Sequence, residues 1–143
     1  MTPHPHPAAA ASIGAIRSFH AHVYFAGPAE RDAAATLRQH VAERFVVQLG
    51  RWHEVPVGPH SAPMYQIAFD TGVFAALVPW LMLNRGALTI LVHPNTLAPW
   101  ADHLHHALWL GSPLPLRDAV LPRRIDAGME SAVVPNTAPI SPP

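Results

Sequence analysis

The chain contains no cysteine and no lysine; histidine aside, its nine basic residues are all arginine. No disulfide, thiolate zinc site, iron–sulfur cluster or cysteine nucleophile is therefore available. The missing lysine also removes Schiff-base chemistry and the phosphate-binding lysine of a P-loop. Charge is scarce, with Asp, Glu, Lys and Arg at 13% of 143 residues and nine arginines balancing nine acids. Without a basic excess, neither nucleic acid nor an anionic membrane is expected as a partner. Long apolar runs are missing as well. The longest, Phe74 to Leu83, spans ten residues and is interrupted by Pro79, against about 20 needed to cross a bilayer. The opening Met1-Thr2-Pro3-His4-Pro5-His6-Pro7 has neither the basic nor the apolar region of a secretory leader, so a cytoplasmic protein is expected.

What is present suits one globular domain. Half the residues are apolar and mean hydropathy is +0.15, enough for a single modest core. Residues 1–15, rich in Pro and Ala, are expected to be a disordered tail. Residues 112–143 carry seven of the 17 prolines and are expected to form an extended tail. The folded domain is then residues 16–111. Eleven histidines outnumber every type of charged residue, and histidine is both the commonest metal ligand and the acid–base residue of neutral pH.

Periodicity gives the order of elements. Ser18 to Phe25 alternates, with Phe19, Ala21, Val23 and Phe25 on one side and His20, His22 and Tyr24 on the other, as in a half-buried strand. Gly27-Pro28 breaks it. Ala29 to Arg44 reads as a helix with Ala33, Leu37 and Val41 as its buried stripe. Phe45 to Trp52 and Met64 to Phe69 read as strands. Asp70 or Thr71 can cap a second helix with the stripe Phe74, Leu77, Val78 and Leu81, kinked or delayed by Pro79. Leu88 to His93 makes a fourth strand, and Pro99 suits the first turn of a last helix running to about Trp109. The order β-α-β-β-α-β plus a C-terminal helix predicts an α+β, ferredoxin-like sandwich. In that topology the first strand lies between the third and fourth, which brings His93 toward His20 and His22.

His20-Ala21-His22 is the best local signal, because residues two apart in a strand project from one face. With Phe19, Val23 and Phe25 turned to the helices, the two imidazoles face the open side of the sheet. A surface or interface pair is the plain alternative to a metal site. His93 strengthens the metal reading: three imidazoles from two strands can cap one face of an Fe(II) and leave positions for a catecholate and O₂. Its alternative role is to bond the Pro94-Asn95-Thr96 turn. His60 ends the stiff loop Pro56-Val57-Gly58-Pro59 and is a candidate ligand or general base, or an ordinary loop residue. Of His103, His105 and His106, the last has an i, i+4 partner in Asp102, which is also the best-placed carboxylate for a two-His-one-carboxylate site. Arg51 and Arg85 are candidate clamps for a substrate carboxylate, although exposed arginines without a ligand are commoner. His4, His6, His40 and His53 read as surface residues, with His4 and His6 able to scavenge Cu or Ni.

These segments resemble the DOPA 4,5-dioxygenase family. The resemblance runs through Phe19-His20-Ala21-His22-Val23-Tyr24-Phe25, Gly50-Arg51-Trp52-His53, Pro56-Val57-Gly58-Pro59-His60, Met64-Tyr65-Gln66 and Leu77-Val78-Pro79-Trp80-Leu81-Met82-Leu83-Asn84-Arg85. It continues in Val92-His93-Pro94-Asn95-Thr96 and His106-Ala107-Leu108-Trp109-Leu110-Gly111. It covers roughly residues 16–116 and neither tail. It implies the ferredoxin-like fold, a homodimer or higher homo-oligomer, non-haem Fe(II) with O₂ as co-substrate, and a small catechol as ligand. The implied reaction is extradiol opening of L-DOPA between carbons 4 and 5, giving a seco-DOPA that cyclises to betalamic acid. On this view His20, His22 and His93 hold the metal, His60 or His106 is the acid–base, and Arg51, Tyr65 and Arg85 bind substrate. A zinc-dependent hydrolase using the same histidines, or a non-catalytic partner-binding module of the same fold, remain the alternatives.

Overall fold

A computed structural model describes residues 5–143; His4 lies outside the described residues. Strands β1 (Ser18–Tyr24), β2 (Gln48–His53), β3 (Met64–Phe69), β4 (Thr89–Asn95) and β5 (Leu108–Leu110) form one sheet in the order β2-β3-β1-β4-β5. Every neighbouring pair is antiparallel. Helices α1 (Gly27–Ala42), α2 (Phe74–Asn84) and α3 (Pro99–Leu104) complete an α+β domain. No helix among the described residues is long and apolar enough to cross a membrane.

The alternation in β1 sorts the two faces of the sheet. Ala21, Val23 and Phe25 join Tyr65, Ile67, Phe69, Ile90 and Val92 in the main core, beneath Ala34, Leu37 and Val41 of α1 and Leu77, Val78 and Leu81 of α2. The α1 stripe uses Ala34 where Ala33 was expected, an i, i+3, i+7 spacing that leaves Ala33 exposed. Helix α1 also begins earlier than expected. Gly27-Pro28 opens it instead of preceding it, because proline has no N–H to lose in the first turn.

The opposite face was expected to be open, and it is roofed. Tyr24, Met64 and Leu91 form a second small core with Val57, Ala62, Ala107, Trp109, Leu114 and Leu116 packed over it. The helix expected to reach Trp109 stops at Leu104, and Leu108–Leu110 pairs with β4 as a fifth strand. Otherwise β4 would leave its outer backbone groups unpaired. The chain beyond this strand is extended apart from single 3-10 turns at Asp118–Val120 and Ala127–Met129. It is tied to the domain at intervals, by Arg117 N to the Pro59 carbonyl at 2.8 Å and Ile125 N to that of Leu97 at 3.0 Å. Ile140 N closes the series on the Glu43 carbonyl at 2.8 Å.

Candidate metal centre

Register places three of the predicted residues side by side. His20 pairs directly with His93 across β1 and β4, and His22 follows two residues along on the same face. His60 enters from the loop before β3, where its backbone bridges Leu116 and its N–H bonds the Val57 carbonyl at 3.0 Å. A fifth imidazole, His103, descends from α3. The rings are in contact: His22 and His60 have centroids 4.1 Å apart, and His93 and His103 are 3.9 Å apart. Two triads, His20/His22/His93 and His22/His60/His103, each bring three ligand nitrogens within 4.8 Å of one another. His22, His60 and His93 are buried, at 3%, 4% and 1% exposure, so the burial is deeper than a strand pair on an open face would have.

The hydrogen bonds around the rings aim their free nitrogens inward. A carbonyl oxygen only accepts, so the 2.9 Å contact of His93 Nδ1 with the Pro94 carbonyl puts the proton on Nδ1 and a lone pair on Nε2. His103 is fixed the same way by the Pro99 carbonyl at 2.7 Å. That Nε2 of His93 faces Nε2 of His22 at 3.1 Å, while His22 Nδ1 is buried without a partner. Two imidazole nitrogens bound to one ion at about 2.0–2.1 Å stand roughly 3 Å apart. The backbone anchors are the kind that orient metal-ligating histidines. The residues therefore fit a divalent transition ion held by neutral nitrogens, a donor set suited to Zn, Cu, Fe or Ni.

Electrostatics keeps the cluster neutral. Burial, then the neighbouring His103, lowers the pKa of His20 from 6.5 to about 4. Burial, then His103 and His20, lowers His60 to about 4. His22 and His93 are pushed well below 6.5 by burial and by the surrounding imidazoles, and His103 is lowered by burial. Neutral imidazole is the form that binds metal.

The remaining predicted residues lie elsewhere. Asp102 is buried but committed: its carboxylate accepts Thr96 N at 2.7 Å and Thr96 Oγ1 at 2.6 Å, and holds His106 Nδ1 at 3.0 Å. It braces the turn that includes Leu97, whose φ of 67° is unusual for a branched side chain. His106 follows α3, its side chain 38% exposed, and lines an apolar groove with Phe19 and Phe74. It joins neither triad among the described residues. Arg51 is exposed on edge strand β2, within the register shift between Leu49 and Trp52. Arg85 donates to the Leu88 carbonyl at 3.0 Å and braces the turn between α2 and β4. Tyr65 points to the helix side, fully buried, with its hydroxyl donating to the Ala34 carbonyl at 3.0 Å. Tyr65→Phe is accordingly expected to cost about 1 kcal/mol of stability and to leave the KM for any catechol unchanged, as melting and kinetics on one preparation will show.

Three residues of the site escaped the sequence reading. His103 was one of three candidate histidines near the end of the domain, and only the end of α3 at Leu104 separates it from His105 and His106. Tyr24 bonds His60 Nδ1 through its hydroxyl at 2.6 Å, a contact the β1 alternation placed on the histidine face without revealing its partner. Gln66 sits opposite His22 in β3 and lines, with His20, His93 and His103, a cavity of about 430 Å³. That volume lies in the range of small-molecule sites.

The antiparallel sheet thus gathers five imidazoles into two sets that could hold a metal, and three of the rings line a cavity. Comparison with known families makes this specific. Residues 19–120 match the Dopa 4,5-dioxygenase family, and the chain belongs to it. It is 39% identical over 119 residues to the DOPA 4,5-dioxygenase of Amanita muscaria, covering 78% of this chain and 52% of that one. It is 35% identical over 119 residues to an uncharacterised 21.2 kDa protein of Botryotinia fuckeliana, covering 76% of this chain and 64% of the other. The chain thus spans between half and two thirds of the length of these two relatives. A crystal structure of a candidate dioxygenase from Nostoc punctiforme superposes with a TM-score of 0.76 at 50% identity, covering 78% of this chain and 96% of that one.

Proposed function

We propose that this protein is a non-haem Fe(II) extradiol dioxygenase acting on L-DOPA or a related catechol, with 4,5-cleavage toward betalamic acid as its reaction. The observation that carries the reading is the convergence of His20, His22 and His93 on one another, with the Nε2 lone pairs of His93 and His103 left free by their carbonyl bonds, beside a cavity large enough for a single-ring substrate. Family membership and the Amanita relative support a dioxygenase chemistry. The five-stranded sheet, with β1 between β3 and β4, is read as ferredoxin-like with one added strand. Assembly as a homo-oligomer belongs to the same reading, supported by Met82 and Leu83 exposed on α2 at 54% and 86%.

His20, His22 and His93 would hold the iron, which when bound supplies Lewis acidity toward the catechol oxygens and redox chemistry toward O₂. The protein supplies position and protons. Burial of His22, His60 and His93 keeps bulk water from those rings, and the cavity walls would hold the catechol against the site. His60, neutral above about pH 4, would take a phenolic proton at Nε2 in the tautomer whose Nδ1–H donates to the Tyr24 hydroxyl oxygen at 2.6 Å. Burial raises the Tyr24 pKa far above neutrality, so its hydroxyl remains protonated and orients the ring instead of competing as a base. Tyr24→Phe should lower kcat/KM about tenfold with metal content unchanged, and equal rates would remove Tyr24 from the machinery.

The deciding experiment is anaerobic reconstitution with Fe(II), then L-DOPA and air, read by an oxygen electrode and by absorbance. Oxygen uptake matched to a yellow betalamic-type product supports the proposal. A folded, iron-loaded protein that consumes no oxygen with any simple catechol sinks it. Native metal dominated by zinc would in that case redirect the same histidines to hydrolysis.

A further inference from the structure

The histidine cavity has a wall that the family match does not include. Ile125, Met129, Glu130 and Ala132, all beyond residue 120, line it opposite His20 and His103. The segment that carries them is fixed at both ends. At one end Ile125 N bonds the Leu97 carbonyl at 3.0 Å. At the other, Val134 N bonds Gln48 Oε1 at 2.9 Å, and Asn136 clasps the free edge of β2. The Asn136 side chain accepts Leu49 N at 2.8 Å and donates to the Leu49 carbonyl at 3.0 Å, as a neighbouring strand would. Thr137 extends the clasp, accepting Val47 N at 3.1 Å and donating to the Phe45 carbonyl at 2.6 Å.

Between these anchors the tie to the rest of the domain is different in kind. Apart from hydrogen bonds within its own turn, the stretch 126–133 is held by an ion pair of Glu130 Oε2 with Arg17 Nε at 3.0 Å. Arg17 is 49% exposed and the Glu130 side chain 13%, and Oε2 has no aligned hydrogen bond although it is buried. A pair with one exposed partner is worth little, while the clasp at Asn136 and Thr137 carries several backbone-directed bonds. The middle of the segment can therefore lift while its ends stay fixed.

We propose that residues 125–134 form a strap that gates the histidine cavity, latched by Arg17 and Glu130 and clasped by Asn136, and that its closed position sets the size of the catechol admitted. This rests on the reading of the cavity as a catechol site. Asn136 is a positioning residue here: it lies on the outer edge of β2 and acts through the strap.

Two measurements on the full chain test this, using wild type, Asn136→Ala and Glu130→Gln. The first is site-resolved acylation of the metal-free protein by diethyl pyrocarbonate, with His106, outside the cavity, as internal reference. Loosening the strap should speed modification of His20 and His103 at least fivefold relative to His106. The second is anaerobic binding of 4-methylcatechol and 3,4-dihydroxybiphenyl to iron-loaded protein, followed by tryptophan fluorescence. Wild type should favour the smaller ligand at least tenfold, and both variants should narrow that ratio about tenfold. Unchanged acylation in both variants, or a size ratio that the variants do not alter, overturns the proposal, as does failure of wild type to bind either ligand. Size-selective binding without oxygen uptake would keep the strap and remove the dioxygenase reading, so the two fail separately.

Discussion

Replacing His22 by Leu is expected to abolish the thermal stabilisation that a divalent metal gives the wild-type protein. A metal that binds only the folded state adds RT ln(1 + [L]/Kd), about 2.7 kcal/mol at a hundredfold excess over Kd. His22 belongs to both histidine triads, so its loss leaves no complete set of three among the described residues, and affinity should fall at least about a hundredfold. The metal-free variant tells whether the ring has any other purpose. His22 buries an Nδ1 with no partner, and a buried unsatisfied polar atom costs on the order of 1–3 kcal/mol. Leu removes that cost while forfeiting the 3.1 Å contact with His93. The metal-free melting temperature should therefore stay within a few degrees of wild type. His93→Leu should lose metal as well but also strand the Pro94 carbonyl, so it should melt lower. Scanning calorimetry of the three proteins with and without Fe(II) or Zn(II), under argon, makes each of these comparisons. A His22→Leu protein that keeps its metal-induced shift would show that the triads are not the site.

The second large effect is acid destabilisation of the metal-free protein. His20 and His60 sit at about 4 in the fold against 6.5 when unfolded, and His22, His93 and His103 are lowered too. Because these folded pKa values are depressed bases, the unfolded chain binds more protons between about pH 4 and 6.5. The stability they allow is fully present above pH 6.5 and is lost as pH falls toward the folded values. Each histidine contributes a slope of up to about 1.4 kcal/mol per pH unit. Several together across two units approach the whole stability of a domain this size, which is about 5–15 kcal/mol. The melting temperature should drop steeply from pH 7 to 5, and bound metal should hold it up at pH 6 to 7.5, where protons do not yet displace it. A melting temperature flat from pH 7.5 to 5 would mean the imidazoles are not packed as neutral rings.

Much of this was legible because strand chemistry is local. The alternation of Phe19, Ala21 and Val23 with His20, His22 and Tyr24 gave the strand and its two faces before any tertiary contact was known. The order of elements brought His93 to His20, and the register pairs them directly. Tyr65 and Arg85 were harder. Both sit in segments that carry the family resemblance, but a motif does not say which face a side chain takes. Tyr65 pairs with Val23 and so turns to the helices, and Arg85 is used up bracing a turn. The spacing of Asp102 and His106 let the carboxylate orient the ring, and the two are in contact at 3.0 Å; as a metal carboxylate it is spoken for, because the Thr96 turn claims its oxygens as well.

The sequence by itself determined the chemistry available, imidazoles in a chain without thiols or lysines, and the strands that present His20, His22 and His93. Only the tertiary structure decided which other groups meet them. Leu108–Leu110 pairs with β4 instead of prolonging α3, and this leaves His103 over the pocket and His106 outside it. The Pro-rich segment beyond residue 120 returns to wall the cavity because Asn136 finds the unpaired edge of β2. Both outcomes turn on sheet edges, whose hydrogen-bonding groups accept whatever distant backbone reaches them. No periodicity along the chain specifies such a partner.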